Sequence, residues 1–350
     1  MEKIFLIGGS GFIGKNLVRC LSPYYQISIF DKYIDHDFFA DYPSVNVYQL
    51  DLVADKIPSE IIAPDYIINL VSIVTAERDL SLFDELISSN LKVLLNLYER
   101  FKDTSSLKLF IQFGSSEEYG SISSPFKEEN REYPNSPYAL VKQLTTNTAL
   151  MLHRNYGFPA MVVRPGNLFG PGQNKNKFIP YVIDKLRKGE SLNVSPCEQK
   201  RDFIYVDDFA WCVGRLIKNY PSAVGEIVNV ASGKSISLRN IIEICKASMG
   251  NVSQINYGAL PYRENEMMDL KCSENKLASI ISQEVNFNMN ERLNEYIQNY
   301  EIFNNRRMRI CWFKSGRRGI APWRGTLYYR QSFSFWQCGQ SDLAPYIGGI

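Results

Sequence analysis

The chain has 350 residues, 45% apolar and 22% charged, with a formal charge of +2. That length holds one large domain or two lobes around a shared core, and the composition is that of an ordinary globular protein. Seven cysteines without a CxxC pair, and His36 and His153 as the two histidines, argue against a disulfide framework, a metal site or a Ser-His-Asp triad.

No run of about twenty apolar residues occurs, so no membrane span is expected. Met1-Glu2-Lys3-Ile4 has no signal-peptide layout and, with the scattered thiols, points to a cytoplasmic protein. Charge is uneven. From Arg306 onward eight basic residues stand against Asp342, about +7, which leaves about −5 for the body. The body shows no nucleic-acid surface.

Lys3 to Ile7 reads as a short apolar strand. Gly8-Gly9-Ser10-Gly11-Phe12-Ile13-Gly14 follows, then a helix pattern through Leu21. Glycines 8, 11 and 14 permit a tight turn, close backbone approach to a pyrophosphate and close helix–strand packing. The spacing is GxxGxxG rather than GxGxxG, and a glycine turn without a ligand is the plain alternative. Gln26 to Phe30 is the next strand, ended by Asp31. A carboxylate there accepts from the adenosine ribose hydroxyls and repels a 2′-phosphate. NAD(H) is therefore favoured, and NADP(H) stays open because Lys32 follows.

Val45 to Leu50 is a third strand, with Asp51 and Leu52 placed to flank the adenine. Asp65 to Val71 is a fourth, running into Ser72, and a long helix from about Leu80 to Phe101 carries Asn90. This alternation predicts an α/β fold, a Rossmann-type doubly wound parallel sheet with helices on both faces. The fifth strand, Leu107 to Phe113, delivers Ser115. Ligands collect beyond the carboxyl ends of such strands, where Gly11, Asp31, Ser72 and Ser115 converge. Ser116 and Glu117 come next, although Glu117 and Glu118 equally suit a solvated turn.

Tyr138 and Lys142, four apart behind Pro137, share one face of a helix. An ammonium beside a phenol favours the phenolate and lowers its pKa, and Ser115 can donate to the same substrate oxygen. Such a trio polarises a carbonyl while a hydride moves at its carbon. Taken alone, the pair also fits a solvated helix face.

Pro159 to Arg164 is a sixth strand. Arg164 to Gly172 reads as a loop leaving the sheet and as a change of lobe. A helix from Lys177 to Lys188 precedes Arg201-Asp202-Phe203-Ile204-Tyr205-Val206-Asp207-Asp208, whose last aspartates cap a helix from Phe209 to Asn219. A strand (Glu226 to Val230), a helix (Leu238 to Ser248), a strand (Gln254 to Tyr257), a loop carrying Arg263 and two short helices (Glu274 to Ile281, Asn290 to Tyr300) follow. The expected division is a dinucleotide-binding domain over 1–165, to which the strand near 226–230 can return, and a smaller C-terminal α/β substrate lobe over 166–305. The tail, 306–350, carries three of the four tryptophans and no sustained period. It reads as an extension without a stable fold, ahead of a basic aromatic arm for a membrane surface or partner.

Five motifs in order, GGSGFIG at 8–14, Ser115 to Gly120, YALVK at 138–142, RPGNLFGPG at 164–172 and RDFIYVDD at 201–208, carry a resemblance. Over about residues 1 to 300 the chain resembles the extended short-chain dehydrogenase/reductases that act on nucleotide-diphosphate sugars. The resemblance implies that Tyr138 is the acid/base, that Lys142 lowers its pKa and binds the nicotinamide ribose, and that Ser115 holds the reacting oxygen. It also implies that Asn167, Arg201 and Arg263 hold the nucleotide diphosphate, in keeping with the match of arginine forks to phosphate. An ion pair of Arg201 with Asp207 or Asp208 is the alternative.

The related 4,6-dehydratases carry Thr-Asp-Glu before Val-Tyr-Gly. Here Ser116 stands where the aspartate protonates the departing hydroxyl, which disfavours dehydration. Ser-Ser-Glu-Glu-Tyr-Gly is more similar to the 4-keto-6-deoxy-sugar reductases of deoxysugar and surface-polysaccharide precursor synthesis, with thymidine slightly ahead of GDP, CDP or UDP as the nucleotide. A 4-epimerase with tightly bound NAD ranks second. A non-catalytic dinucleotide-binding module ranks last, because Ser115, Tyr138 and Lys142 are all present. Relatives of this kind suggest a homodimer through a four-helix contact that includes the Tyr138 helix.

Overall fold

The computed structural model describes residues 1–75, 77–263 and 266–304. The basic tail and its tryptophans lie outside the described residues, as do Glu264 and Asn265 of the Arg263 loop.

In chain order the strands are β1 (Lys3–Ile7), β2 (Gln26–Asp31), β3 (Asn46–Gln49), β4 (Tyr66–Asn69), β5 (Leu109–Phe113), β6 (Ala160–Pro165), β7 (Asn167–Phe169), β8 (Leu192–Val194), β9 (Lys200–Tyr205), β10 (Ile227–Val230), β11 (Ser235–Ser237), β12 (Ile255–Tyr257) and β13 (Asp269–Leu270). The helices are α1 (Phe12–Leu21), α2 (His36–Phe39), α3 (Phe83–Ile87), α4 (Val93–Phe101), α5 (Pro137–Tyr156), α6 (Phe178–Arg187), α7 (Val206–Lys218), α8 (Tyr220–Ala223), α9 (Leu238–Met249), α10 (Asn275–Ile281) and α11 (Met289–Asn304).

Seven strands form one sheet in the order β10-β6-β5-β4-β1-β2-β3, and every neighbouring pair is parallel. The chain starts at β1 inside the sheet, adds β2 and β3 on one side, then returns to β4 on the other. The switch point therefore lies between β1 and β4, where crossovers diverge and open a crevice at the carboxyl ends. Alternation along β1 sets the two faces. Ile4 and Leu6 pack with α1, α7 and α10 through Leu17, Phe209 and Leu277, while Phe5 and Ile7 pack with α4 and α5 through Leu94, Phe101 and Leu152. Both faces are covered, so the strands are near-continuous apolar runs.

A second unit pairs β9 antiparallel with β11 and parallel with β13 and β7, beside a two-stranded β8–β12 sheet. Its core is filled from α6, α9 and α11 by residues such as Ile183, Ile242 and Tyr296.

Three expectations need correction. The Pro/Gly-rich stretch after Arg164 is not simply a loop, since Asn167–Phe169 is strand β7, in register with Phe203–Tyr205. Asp207 and Asp208 do not cap a helix at Phe209; they lie in the first turn of α7, whose cap position is Tyr205. They instead form ion pairs with Arg19 of α1 and Arg292 of α11. The long helix from Leu80 is interrupted, with a 3-10 turn (Leu80–Leu82) and a π segment (Ser88–Lys92) around α3. Asn90 sits in that π segment, fully buried, and its amide donates to Leu86 O at 2.9 Å and Ser89 Oγ at 3.0 Å.

Candidate active site

The glycine turn places α1 at the carboxyl end of β1. Gly8 has φ +75°, and a Cβ on Gly14 would lie 2.4 Å from the Gly9 backbone, so the turn and the helix approach require glycine at both positions. Gly11 differs. A Cβ there would meet nothing closer than Gly8 O at 3.7 Å, and it caps α1 without a side chain. An open glycine face at a helix N-terminus fits a pyrophosphate. Phe12 and Ile13 begin α1, and the Phe12 carbonyl accepts from Asn16 Nδ2, which also donates to Pro171 O.

Asp31 ends β2 and accepts from Ser10 N at 2.9 Å and Tyr33 N at 3.2 Å. Burial raises its pKa, with the Ser10 bond acting in the opposite direction. Lys32 turns to Asp51 at 2.9 Å, so its charge is paired there rather than beside Asp31 alone. Leu52 is buried, and Ser72 follows β4 across the switch point. These residues suit a dinucleotide with free ribose hydroxyls.

Ser136 caps α5 by accepting from Ala139 N at 3.1 Å, and Pro137 occupies its first turn. The helix thereby presents Tyr138 and Lys142 to the end of β5, both buried. Lys142 Nζ donates to Phe113 O at 2.9 Å and lies 5.9 Å from the Tyr138 ring centre. Burial lowers the Lys142 pKa to about 8, opposed by the Glu118 carboxylate. The Tyr138 phenol moves the other way from the expectation. Burial pushes its pKa up and Glu117 adds to this, while hydrogen bonding with Ser115 and Ser72 works against it. Desolvation outweighs the nearby ammonium, so the phenol holds its proton.

Ser115 follows β5 and caps a 3-10 turn, Ser116–Tyr119, through a capping box. Its Oγ accepts from Glu117 N at 3.2 Å, which leaves the hydroxyl proton to donate elsewhere. Ser116 is buried beside it. The solvated-turn alternative for the two glutamates does not hold. Glu117 is partly buried, and burial raises its pKa against the pull of Lys177, Arg263, Arg201 and Arg78. Glu118 is fully buried; its Oε2 accepts from Arg164 Nε at 2.9 Å and Nη2 at 2.7 Å.

Beyond Glu117 lies an open cleft of about 80 Å³, lined by Asn176, Tyr181, Gln199, Arg201, Tyr262 and Arg263 among others. Arg201 does not pair with Asp207 or Asp208. Its Nη2 is paired with Glu266, and its Nη1 donates to Met267 O at 2.7 Å and Lys200 O at 2.8 Å. Among the described residues, Asn167 Nδ2 and Gln199 Oε1 are buried without a hydrogen-bond partner, as a polar ligand would require. Lys177, Arg78 and Gln199 were not singled out by sequence. Lys177, directly before the apolar face of α6, carried the best signal.

An α/β dinucleotide-binding fold with a Ser–Tyr–Lys centre beside a cationic cleft defines a class, and comparison gives the family. The model of the NAD dependent epimerase/dehydratase family matches residues 4–231, and the chain belongs to that family. It is similar to the low-salt glycan biosynthesis protein Agl12 of Haloferax volcanii, 26% identical over 268 residues, covering 73% of this chain and 85% of that protein. It is also similar to GDP-6-deoxy-D-mannose reductase of Pseudomonas aeruginosa, 28% identical over 258 residues, covering 69% and 79%. Among solved structures, UDP-N-acetylglucosamine 4-epimerase from Methanobrevibacter ruminantium M1 superposes with TM-score 0.77 at 25% identity, over 85% of this chain and 98% of the other.

Proposed function

We propose that the protein reduces the 4-keto group of a nucleotide-activated 4-keto-6-deoxyhexose, with NADH favoured over NADPH. Residues 1–165, with β10, hold the dinucleotide, and residues 166–305 hold the nucleotide sugar. One observation carries the reading: Tyr138, Ser115 and Lys142 are buried together at the end of β5, with Lys142 Nζ held on Phe113 O at 2.9 Å, and burial favours the protonated phenol. A proton-loaded acid suits reduction, in which the ketone oxygen becomes an alkoxide.

The nicotinamide cofactor, when bound, supplies the hydride to C4. Tyr138 gives its proton to the C4 oxygen, and Ser115 donates a hydrogen bond to the same atom. The Lys142 ammonium stabilises the phenolate left on Tyr138. Arg263, Arg201, Lys177 and Asn167 take the diphosphate and nucleotide, with thymidine placed ahead of GDP, CDP or UDP. Similarity to GDP-6-deoxy-D-mannose reductase supports a reductase. Leu140 and Leu144 on α5, with Ile87 and Leu95 on α3 and α4, are apolar and exposed, which supports a homodimer through these helices.

The test is hydride tracing. Deuterium from the 4-position of labelled NADH should appear at C4 of the product sugar. Unlabelled product, or none with any nucleotide, contradicts the proposal. A 4-epimerase is the second reading, favoured by the likeness to UDP-N-acetylglucosamine 4-epimerase. It predicts NAD retained through purification and no net consumption of cofactor.

A further inference from the structure

Beneath the Ser–Tyr–Lys centre lies a charged cluster that the proposed chemistry does not use. Glu118 and Arg164 have no solvent exposure. Arg164 makes two bonds to Glu118 Oε2 and reaches Glu132 Oε1 at 2.6 Å, and its guanidinium stacks 4.6 Å from the Tyr119 ring centre. The other carboxylate oxygen of Glu118 accepts from Ser115 N at 2.7 Å and Thr146 Oγ1 at 3.1 Å. Ser115 just after β5, Thr146 on α5 and Arg164 on β6 are thus joined by one carboxylate. A buried ion pair is seldom retained for stability alone, because apolar residues of similar volume do as well.

We propose that Glu118, clamped by Arg164, is a positioning residue: it holds the Ser115 backbone just past β5 and ties it through Thr146 to the helix that carries Tyr138 and Lys142. The titratable groups around Lys142 are few. Tyr138 lies on its own helix, Glu117 and Glu118 on the turn after β5, and Arg164 and Glu132 behind Glu118, while the α3 residues packed on this helix, Phe83 and Leu86, are apolar. Of these, Glu118 is the carboxylate that opposes desolvation at Lys142. Burial raises the Glu118 pKa, and the Arg164 guanidinium opposes that shift. The inference rests on the proposed roles of Ser115, Tyr138 and Lys142, but its physical content is separable from the substrate.

The experiment therefore reads the charge on Lys142 directly, by ¹⁵N NMR titration of its Nζ in the full chain, alongside pH profiles of turnover. Glu118→Gln should move the Lys142 titration down by about one unit or more. kcat at neutral pH should fall at least about tenfold, with KM for the nucleotide sugar within about twofold. Because that variant leaves buried Arg164 with Glu132 as its remaining carboxylate partner, the double variant Glu118→Val/Arg164→Met is the control for folding. It should melt close to the unaltered protein yet show the same loss of kcat. Full kcat in either folded variant overturns the proposal. A shifted titration without turnover of any nucleotide sugar overturns the assigned reaction and leaves the positioning role standing.

Discussion

Lys142 Nζ and the Phe113 carbonyl meet at 2.9 Å, so the last residue of β5 anchors the side chain that follows Tyr138 by one helical turn. The bond fixes α5 against the strand that delivers Ser115. It also holds the ammonium in an apolar setting that lowers its pKa to about 8.

That lowered value makes stability depend on pH with a definite sign. Between about 8 and the ordinary lysine value of 10.5, the unfolded chain binds a proton at Lys142 that the folded chain has lost. The unfolded state then holds more protons, so this group's contribution to stability rises with pH across that window. Relative to Lys142→Met, the unaltered protein should gain stability as pH rises from about 8 toward 10.5. Denaturant unfolding of both across that range measures it; a constant gap contradicts the burial argument.

Replacing Tyr138 with Phe removes the proton donor and little else. Turnover should fall by about 10²–10⁴-fold while NADH affinity stays within about twofold. Stopped-time product assays and fluorescence titration with NADH read the two quantities. Undiminished turnover rules out the assigned role.

Asp31 accepts from Ser10 N, and an asparagine oxygen keeps that bond while losing the charge. Asp31→Asn should therefore leave the turn folded and reduce the preference for NADH over NADPH by at least about tenfold, or about 1.4 kcal/mol. Steady-state kcat/KM for both cofactors checks this. An unchanged ratio shows that Asp31 does not face the ribose.

Much of this arrangement was legible because it depends on neighbours in sequence. The glycines at 8 and 14, Asp31 one strand later, and Ser136-Pro137 opening the Tyr138 helix are each set by local backbone chemistry. Pairing across long separations was not legible. Glu118 and Arg164 are 46 residues apart, and Arg201 and Glu266 are 65 apart, so neither partner can be read from its surroundings. Strand β7 was hidden because Pro and Gly flank only three strand residues, and its order comes from pairing with β9. The Tyr138 direction was missed for a different reason. Spacing places the ammonium near the phenol but says nothing of the desolvation that outweighs it.

Arg263 lines the cleft and acts electrostatically on Glu117. Arg263→Ala should raise KM for the nucleotide sugar by roughly 10- to 100-fold, the worth of one charged hydrogen bond at about 1.5–3 kcal/mol. kcat should change far less. A larger effect on kcat than on KM contradicts a binding role.

The central claim, reduction of a keto sugar, is tested most directly by nicotinamide absorbance during incubation with dTDP-4-keto-6-deoxyglucose and either NADH or NADPH. The account predicts loss of reduced cofactor in one-to-one proportion to sugar converted, faster with NADH. Conversion of a nucleotide sugar at constant absorbance, with NAD still bound to the purified protein, would contradict it and make the enzyme an epimerase.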